Sequence, residues 1–160
     1  ANHVEDKIEW IGRMPAEKIG FEDESFDLVY GSHVLHHTKL TDSVPEVARV
    51  MKPGAKGVFV ETLGTDPLFV FARNHLAGRF GIPRLSNETE YPLRKKELNF
   101  IADHFSSFHM KGDVFFGMLA GYVFKGEKIR SLLMKMDSDL FSTFPWLRRL
   151  AYSGILTVRK

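Results

Sequence analysis

The stretch Phe26 to Thr62, FDLVYGSHVLHHTKLTDSVPEVARVMKPGAKGVFVET, constrains this chain more than any other part of it. In 37 residues it holds a short apolar strand, a polar turn with three histidines, a helical pattern, a Lys-Pro-Gly stop and a second apolar strand. Phe26 to Tyr30 is apolar and bounded by turn residues, as expected of a strand covered on both faces. Ser43 and Glu46 have the spacing of a capping box, with Pro45 in the first turn. Val44, Val47, Val50 and Met51 recur on one helical face, and Lys52-Pro53-Gly54 is expected to end that helix. Val58-Phe59-Val60 is the centre of the next strand. A helix between two such strands implies a right-handed parallel crossover. The histidine turn then lies beyond the carboxyl end of the first strand, where open α/β sheets place ligands.

The rest of the chain extends this pattern into one domain, residues 1–160. Lys7 to Ile11 is a short strand candidate, followed by a loop with Gly12, Pro15 and Gly20. Residues 64–92, with Pro67, Gly78, Gly81 and Pro83, are expected to form an insertion or lid carrying one helix over about Asp66 to Ala77. Leu98, Ile101, Ala102 and Phe105 give a helical stripe within Leu93 to Phe105. Phe108 to Phe116 is a strand candidate, Glu127 to Leu140 an amphipathic helix, and Ser153 to Arg159 a closing strand.

Composition narrows the function. The chain has 160 residues, enough for one sizeable core. Its 22 basic and 20 acidic residues leave a net charge of +2, and the basic residues form only small groups such as Arg94-Lys95-Lys96. Without a basic stripe, no nucleic-acid partner is expected. There is no cysteine, so thiol chemistry and zinc thiolate sites are excluded, and a cytoplasmic location is the expectation. The longest uncharged run, Val114 to Phe124, is too short to cross a bilayer, so no integral membrane segment is expected.

Three segments then carry a resemblance: Phe21-Glu22-Asp23-Glu24-Ser25-Phe26-Asp27-Leu28-Val29, Ser32-His33-Val34-Leu35-His36-His37, and Arg49-Val50-Met51-Lys52-Pro53-Gly54. They resemble the second half of class I S-adenosylmethionine-dependent methyltransferases of the small-molecule branch. The resemblance implies a Rossmann-like α/β sheet ordered 3-2-1-4-5-7-6, mostly parallel with an antiparallel carboxyl-terminal edge. On that template Lys7–Ile11 is the third strand, Phe26–Tyr30 the fourth and Lys56–Thr62 the fifth, and the last two strand candidates form the antiparallel edge. The first two strands and their glycine-rich cofactor turn have no counterpart here. The chain therefore resembles a methyltransferase domain without its amino-terminal cofactor half, and its start at Ala1 is compatible with Met removal, trimming or a fragment.

The resemblance implies S-adenosylmethionine as cofactor, a small-molecule or lipid-like methyl acceptor, and cofactor contacts at Ala16, Glu17, Gly31, Ser32 and His33. The family's usual acidic residue before the Ala-Glu pair is here Pro15. His36 and His37 are the catalytic candidates. For His33, His36 and His37, three readings stand together: metal ligands at i, i+3 and i+4, a general base, or residues that shape the pocket. No metal site is assigned. Methyl transfer gains most from alignment, and a base is needed only where the acceptor must lose a proton. Glu61 is either a substrate contact or a solvated strand-end charge. Phe69, Phe71, Phe80 and Tyr91 either line an acceptor pocket or bury the insertion, and Asp103-His104 reads as a surface pair. The alternative to an enzyme is a non-catalytic remnant serving as an interaction module. Either way, strand Phe26–Tyr30 is expected to pair with Lys7–Ile11 or across a homodimer, because an open apolar edge invites pairing.

Overall fold

The computed structural model describes residues 12–75, 79, 91–117 and 126–160, without the side chains of residues 68, 69, 72 and 73. Four described strands form one sheet: β1 (Phe26–Ser32), β2 (Met51–Thr62), β3 (Ser107–Val114) and β4 (Ser153–Arg159), in the order β1-β2-β4-β3. β1 and β2 are parallel, while β4 runs antiparallel to both β2 and β3. That order equals the last four places of the implied methyltransferase sheet. The candidate third strand, Lys7–Ile11, lies outside the described residues, so β1 is one of the two outer described strands.

Helix α1 (Leu40–Val50) makes the crossover from β1 to β2. It buries Val44, Val47 and Val50, one stripe at helical spacing, against a core that includes Phe59, Leu156 and Val158. Each such side chain removed from water contributes roughly 1.5–3 kcal/mol. The helix starts three residues before the proposed capping box. Its first turn closes where Asp42 and Ser43 donate their N–H groups to the Lys39 carbonyl. The box cannot form because its side chains are engaged elsewhere. The Ser43 hydroxyl pairs with that of Thr38 at 2.8 Å, and Glu46 accepts from Ile19 N and from Arg49. Pro45 therefore sits inside the helix, where it leaves the exposed Thr41 carbonyl without its usual N–H donor.

The helix also stops earlier than expected. Met51 is already extended (φ −77°, ψ 138°), and β2 begins there. The pairing jumps from Phe26–Met51 to Leu28–Lys56, so Lys52 to Ala55 bulge opposite Asp27, with Gly54 at φ +78° making the bend. The chain's last residue secures this bulge: Gly54 N donates to the Lys160 carbonyl and Lys160 Nζ to the Met51 carbonyl.

The two sheet faces differ. Gly31, Phe59, Leu156 and Met110 lie opposite one another in register on the face that α1 covers. The neighbouring row, Tyr30, Val58, Thr157 and His109, is more open, and Tyr30 is 65% exposed. The expectation of a strand covered on both faces is thus not met among the described residues: β1 alternates, as period-2 geometry dictates for a half-covered sheet.

Helix α2 (Pro67–His75) lies in the expected insertion and α3 (Lys95–Ala102) buries Leu98 and Ile101 of the predicted stripe. Helix α4 (Glu127–Thr143) packs against β3 and the 3₁₀ segment Pro145–Leu150. From α4 the buried Asp137 accepts hydrogen bonds from the N–H groups of Phe115, Phe116 and Gly117 at 3.1, 2.6 and 2.8 Å. These bonds divert the backbone from the ladder, so β3 ends at Val114 rather than Phe116. In Asp137→Ala, these amides lose their acceptor, at roughly 1–3 kcal/mol for each that stays dry. Urea unfolding should show a loss of at least about 2 kcal/mol with an unchanged slope; an unchanged midpoint would contradict this role.

Candidate functional site

The site is built where β1 ends. His33 has φ +52°, a left-handed conformation uncommon outside glycine. This reverses the chain into the 3₁₀ turn Leu35–His37, while His33 N still donates to the Val60 carbonyl of β2 at 2.8 Å. The backbone N–H groups of Val34, Leu35 and His36 then point at one acceptor, the Glu61 carboxylate, at 3.2, 2.9 and 3.4 Å. His36 adds its ring: Nδ1 lies 2.6 Å from Glu61 Oε2.

Glu61 is fully buried, so it is neither a solvated charge nor directly open to substrate. It stands two residues after Phe59 on the same face of β2, and this puts it in the core. Burial pushes its carboxyl pKa up, but the hydrogen bond from His36, those from Leu35 and Val34 and the attraction of His36 outweigh burial, leaving it below the ordinary value. An ionised carboxylate only accepts, so Nδ1 of His36 carries a proton, and in the neutral ring Nε2 is the acceptor. Among the described residues, Nε2 has no hydrogen-bond partner, and no enclosed side-chain nitrogen or oxygen is left unpaired. Nε2 is therefore open to solvent-reachable space.

The other sequence candidates surround this pair. The His36 ring is flanked by His33 (5.8 Å between centroids, edge-on) and by His37 (4.2 Å, tilted). Ser32, His33 and His37 are exposed, whereas Gly31 is buried. Packing alone demands glycine at position 31, since a Cβ there would stand 2.6 Å from the Phe59 ring. Ala16 and Glu17 occupy the turn closed by Lys18 N donating to the Pro15 carbonyl. The Glu17 carboxylate accepts from Lys39 N at 3.0 Å, docking this turn on the start of α1. Arg49 fastens the following loop by donating to the Ile19 and Phe21 carbonyls and to Asp23 and Glu46.

On the α1 side of the histidine turn lies a pocket of about 790 Å³, within the range of small-molecule sites. His36 and His37 form part of its lining, facing segment 91–94 and the start of α3. That segment is held by Leu93 N donating to the Thr62 carbonyl and Gly64 N to the Leu93 carbonyl, both at 2.9 Å. Tyr91 lines the pocket and is 70% exposed, and Phe71 is 56% exposed, so neither buries the insertion. Phe80 and the Phe69 side chain lie outside the description. His104 donates through Nδ1 to the Phe100 carbonyl, 2.8 Å away, and forms no ion pair with Asp103 among the described residues.

Residues 2–59 match the family model for a methyltransferase domain. A solved S-adenosylmethionine-dependent methyltransferase from Thermotoga maritima, described as a possible histamine N-methyltransferase, superposes with a TM-score of 0.58 at 13% identity over 91% of this chain and 60% of that one. The chain has a class I methyltransferase fold. Within it, β1, α1 and β2 carry the site. The chain is also 29% identical over 75 residues to an uncharacterized methyltransferase of Bacillus subtilis, covering 47% of this chain and 32% of that protein. A hybrid PKS-NRPS synthetase of Hapsidospora irregularis is 43% identical over 53 residues, 32% of this chain and 1% of that protein. The chain thus spans a small part of the curated relatives it matches.

Sequence reasoning located the histidine turn but missed Glu61 as its organiser. The period-2 alternation Phe59, Glu61 held the signal. Because the Glu61 carboxyl lies below its ordinary value near 4.3, its contribution to stability is present above that value and lost as pH falls through the lower folded one. Glu61→Gln should cost about 2 kcal/mol at pH 5, and the gap to wild type should narrow as the pH falls below the ordinary carboxyl value. Urea midpoints measured across that fall in pH check the sign; a gap that widens on acidification would contradict it.

Proposed function

We propose that this chain is part of a S-adenosylmethionine-dependent methyltransferase acting on a small-molecule acceptor whose reacting atom must lose a proton. His36 is the general base and Glu61 its positioning partner. One observation carries the reading: a buried carboxylate fixes the tautomer of a histidine that lines a pocket and has Nε2 open. A purely structural module has no need of an aimed, half-satisfied imidazole, so this arrangement favours chemistry over the interaction-module alternative.

The residues present suit one side of the cofactor. Ser32 and His33 are exposed at the end of β1, and the Ala16–Glu17 turn is docked at the start of α1. These groups and the Gly31 backbone are the proposed contacts for the adenosine part. When bound, S-adenosylmethionine supplies a methyl group activated by its sulfonium.

The protein's own work is alignment and proton removal. An acceptor in the pocket meets His36 on the side away from His33. Nε2 takes the acceptor's proton and leaves the electron pair on the reacting atom; the methyl group would come from the bound cofactor as its sulfonium C–S bond breaks. Glu61 holds the ring through Nδ1 and balances the positive charge the imidazole gains. A carbon flanked by two carbonyls meets these demands.

Calorimetry with S-adenosylhomocysteine and transfer of a labelled methyl group to an acetoacetyl thioester test the reading. His36→Gln should lower kcat by roughly 10²- to 10⁴-fold while leaving cofactor affinity unchanged. A full rate in that variant would remove His36 from the base role. Failure of the 160-residue chain to bind the cofactor would contradict the reading for this chain.

A further inference from the structure

The pocket beside His36 has a chemical polarity that methyl transfer alone does not explain. Its walls include Leu35, Leu40, Pro92, Leu93 and Phe100, so the body of an occupant meets mostly apolar surface. Three cationic residues also line it: Lys39, Arg94 and Lys96. Two are already balanced. Lys39 Nζ lies 2.8 Å from Asp42, and Lys96 Nζ 3.3 Å from Glu97. The guanidinium of Arg94 makes no hydrogen bond or ion pair with any described residue, and no other lining cation is uncompensated.

Arg94 is also firmly placed. Its backbone N–H donates to Glu97 Oε2 at 3.1 Å, and the preceding Leu93 is bridged to the end of β2 next to Glu61. One short stretch of strand therefore sets the distance between the histidine and the arginine side of the pocket. The starts of α1 and α3 already carry the carboxylates of Glu17 and Glu97, so the guanidinium is the group left for an incoming anion. A guanidinium binds carboxylate and phosphate alike through paired N–H donors.

We propose that this pocket selects an acceptor with an apolar body and an anionic group, carboxylate or phosphate, held by Arg94 while the reacting atom faces His36. The proposal deepens the methyltransferase reading and rests on it for the role of the occupant. Its test needs neither cofactor nor turnover, so the two can fail separately.

The 160-residue chain is titrated with octanoate, octyl phosphate and octanol, by calorimetry and by amide chemical shifts. At least one anion should bind about five-fold tighter than the alcohol, the size expected of a solvent-facing charge pair, with shifts at residues 35–41 and 91–97. Which of the two anions gains identifies the favoured group. In Arg94→Met the preference should fall to near unity, and in Arg94→Lys most of it should return. Arg94 is exposed, so neither variant should disturb folding. Equal affinity for anion and alcohol, a preference that survives Arg94→Met, or no saturable binding of any probe would overturn the proposal.

Discussion

A carboxylate without water is the constraint on which this structure turns. Moving an ionised Glu61 into the core costs several kcal/mol unless donors surround it. The chain supplies them from a single turn: three consecutive backbone N–H groups, Val34 to His36, and the His36 ring. For those groups to converge, the backbone must reverse sharply after β1, and this is why His33 adopts a left-handed conformation. Strain at one residue is thus offset by satisfaction of a buried charge at another, 28 positions away in sequence. The same bonds fix which nitrogen of His36 carries the proton.

The surrounding packing keeps this geometry in register. The Phe59 ring occupies the space above Gly31, so β1 and β2 approach closely at the point where the turn begins. Thr62 and Leu63 continue β2 into the 91–94 segment, tying the far wall of the pocket to the strand that bears Glu61. Arg49 and Glu17 hold the loop of residues 16–23 against α1. The loop of residues 16–23 and the 91–94 segment are therefore held by different contacts, the first to α1 and the second to the end of β2.

Much of this was legible before any coordinates. The Val44, Val47, Val50 stripe, strand Ser153–Arg159 and the position of the histidine turn follow from local pattern, and local pattern decides them physically. The errors arose where distant partners override local preference. Ser43 and Glu46 have capping-box spacing, yet Thr38, Ile19 and Arg49 claim their side chains. Lys52-Pro53-Gly54 looks like a helix stop, but Lys160 at the other end of the chain turns it into a bulge within β2. Arg94 carried no signal, since it meets the pocket only through the Leu63–Leu93 bridge. Glu61 was readable in part: alternation with Phe59 buries it, while its four donors come from a turn that no spacing rule connects to it.

The claim that Glu61 orients His36 can be tested on the intact chain by nitrogen-15 NMR of the histidine rings at neutral pH. The account predicts that His36 is the Nδ1–H tautomer, with that proton shifted downfield by its bond to the carboxylate and with Nε2 unprotonated, and that Glu61→Gln removes the downfield proton. A His36 found as the Nε2–H tautomer, or one whose ring signals are indifferent to Glu61, would contradict it.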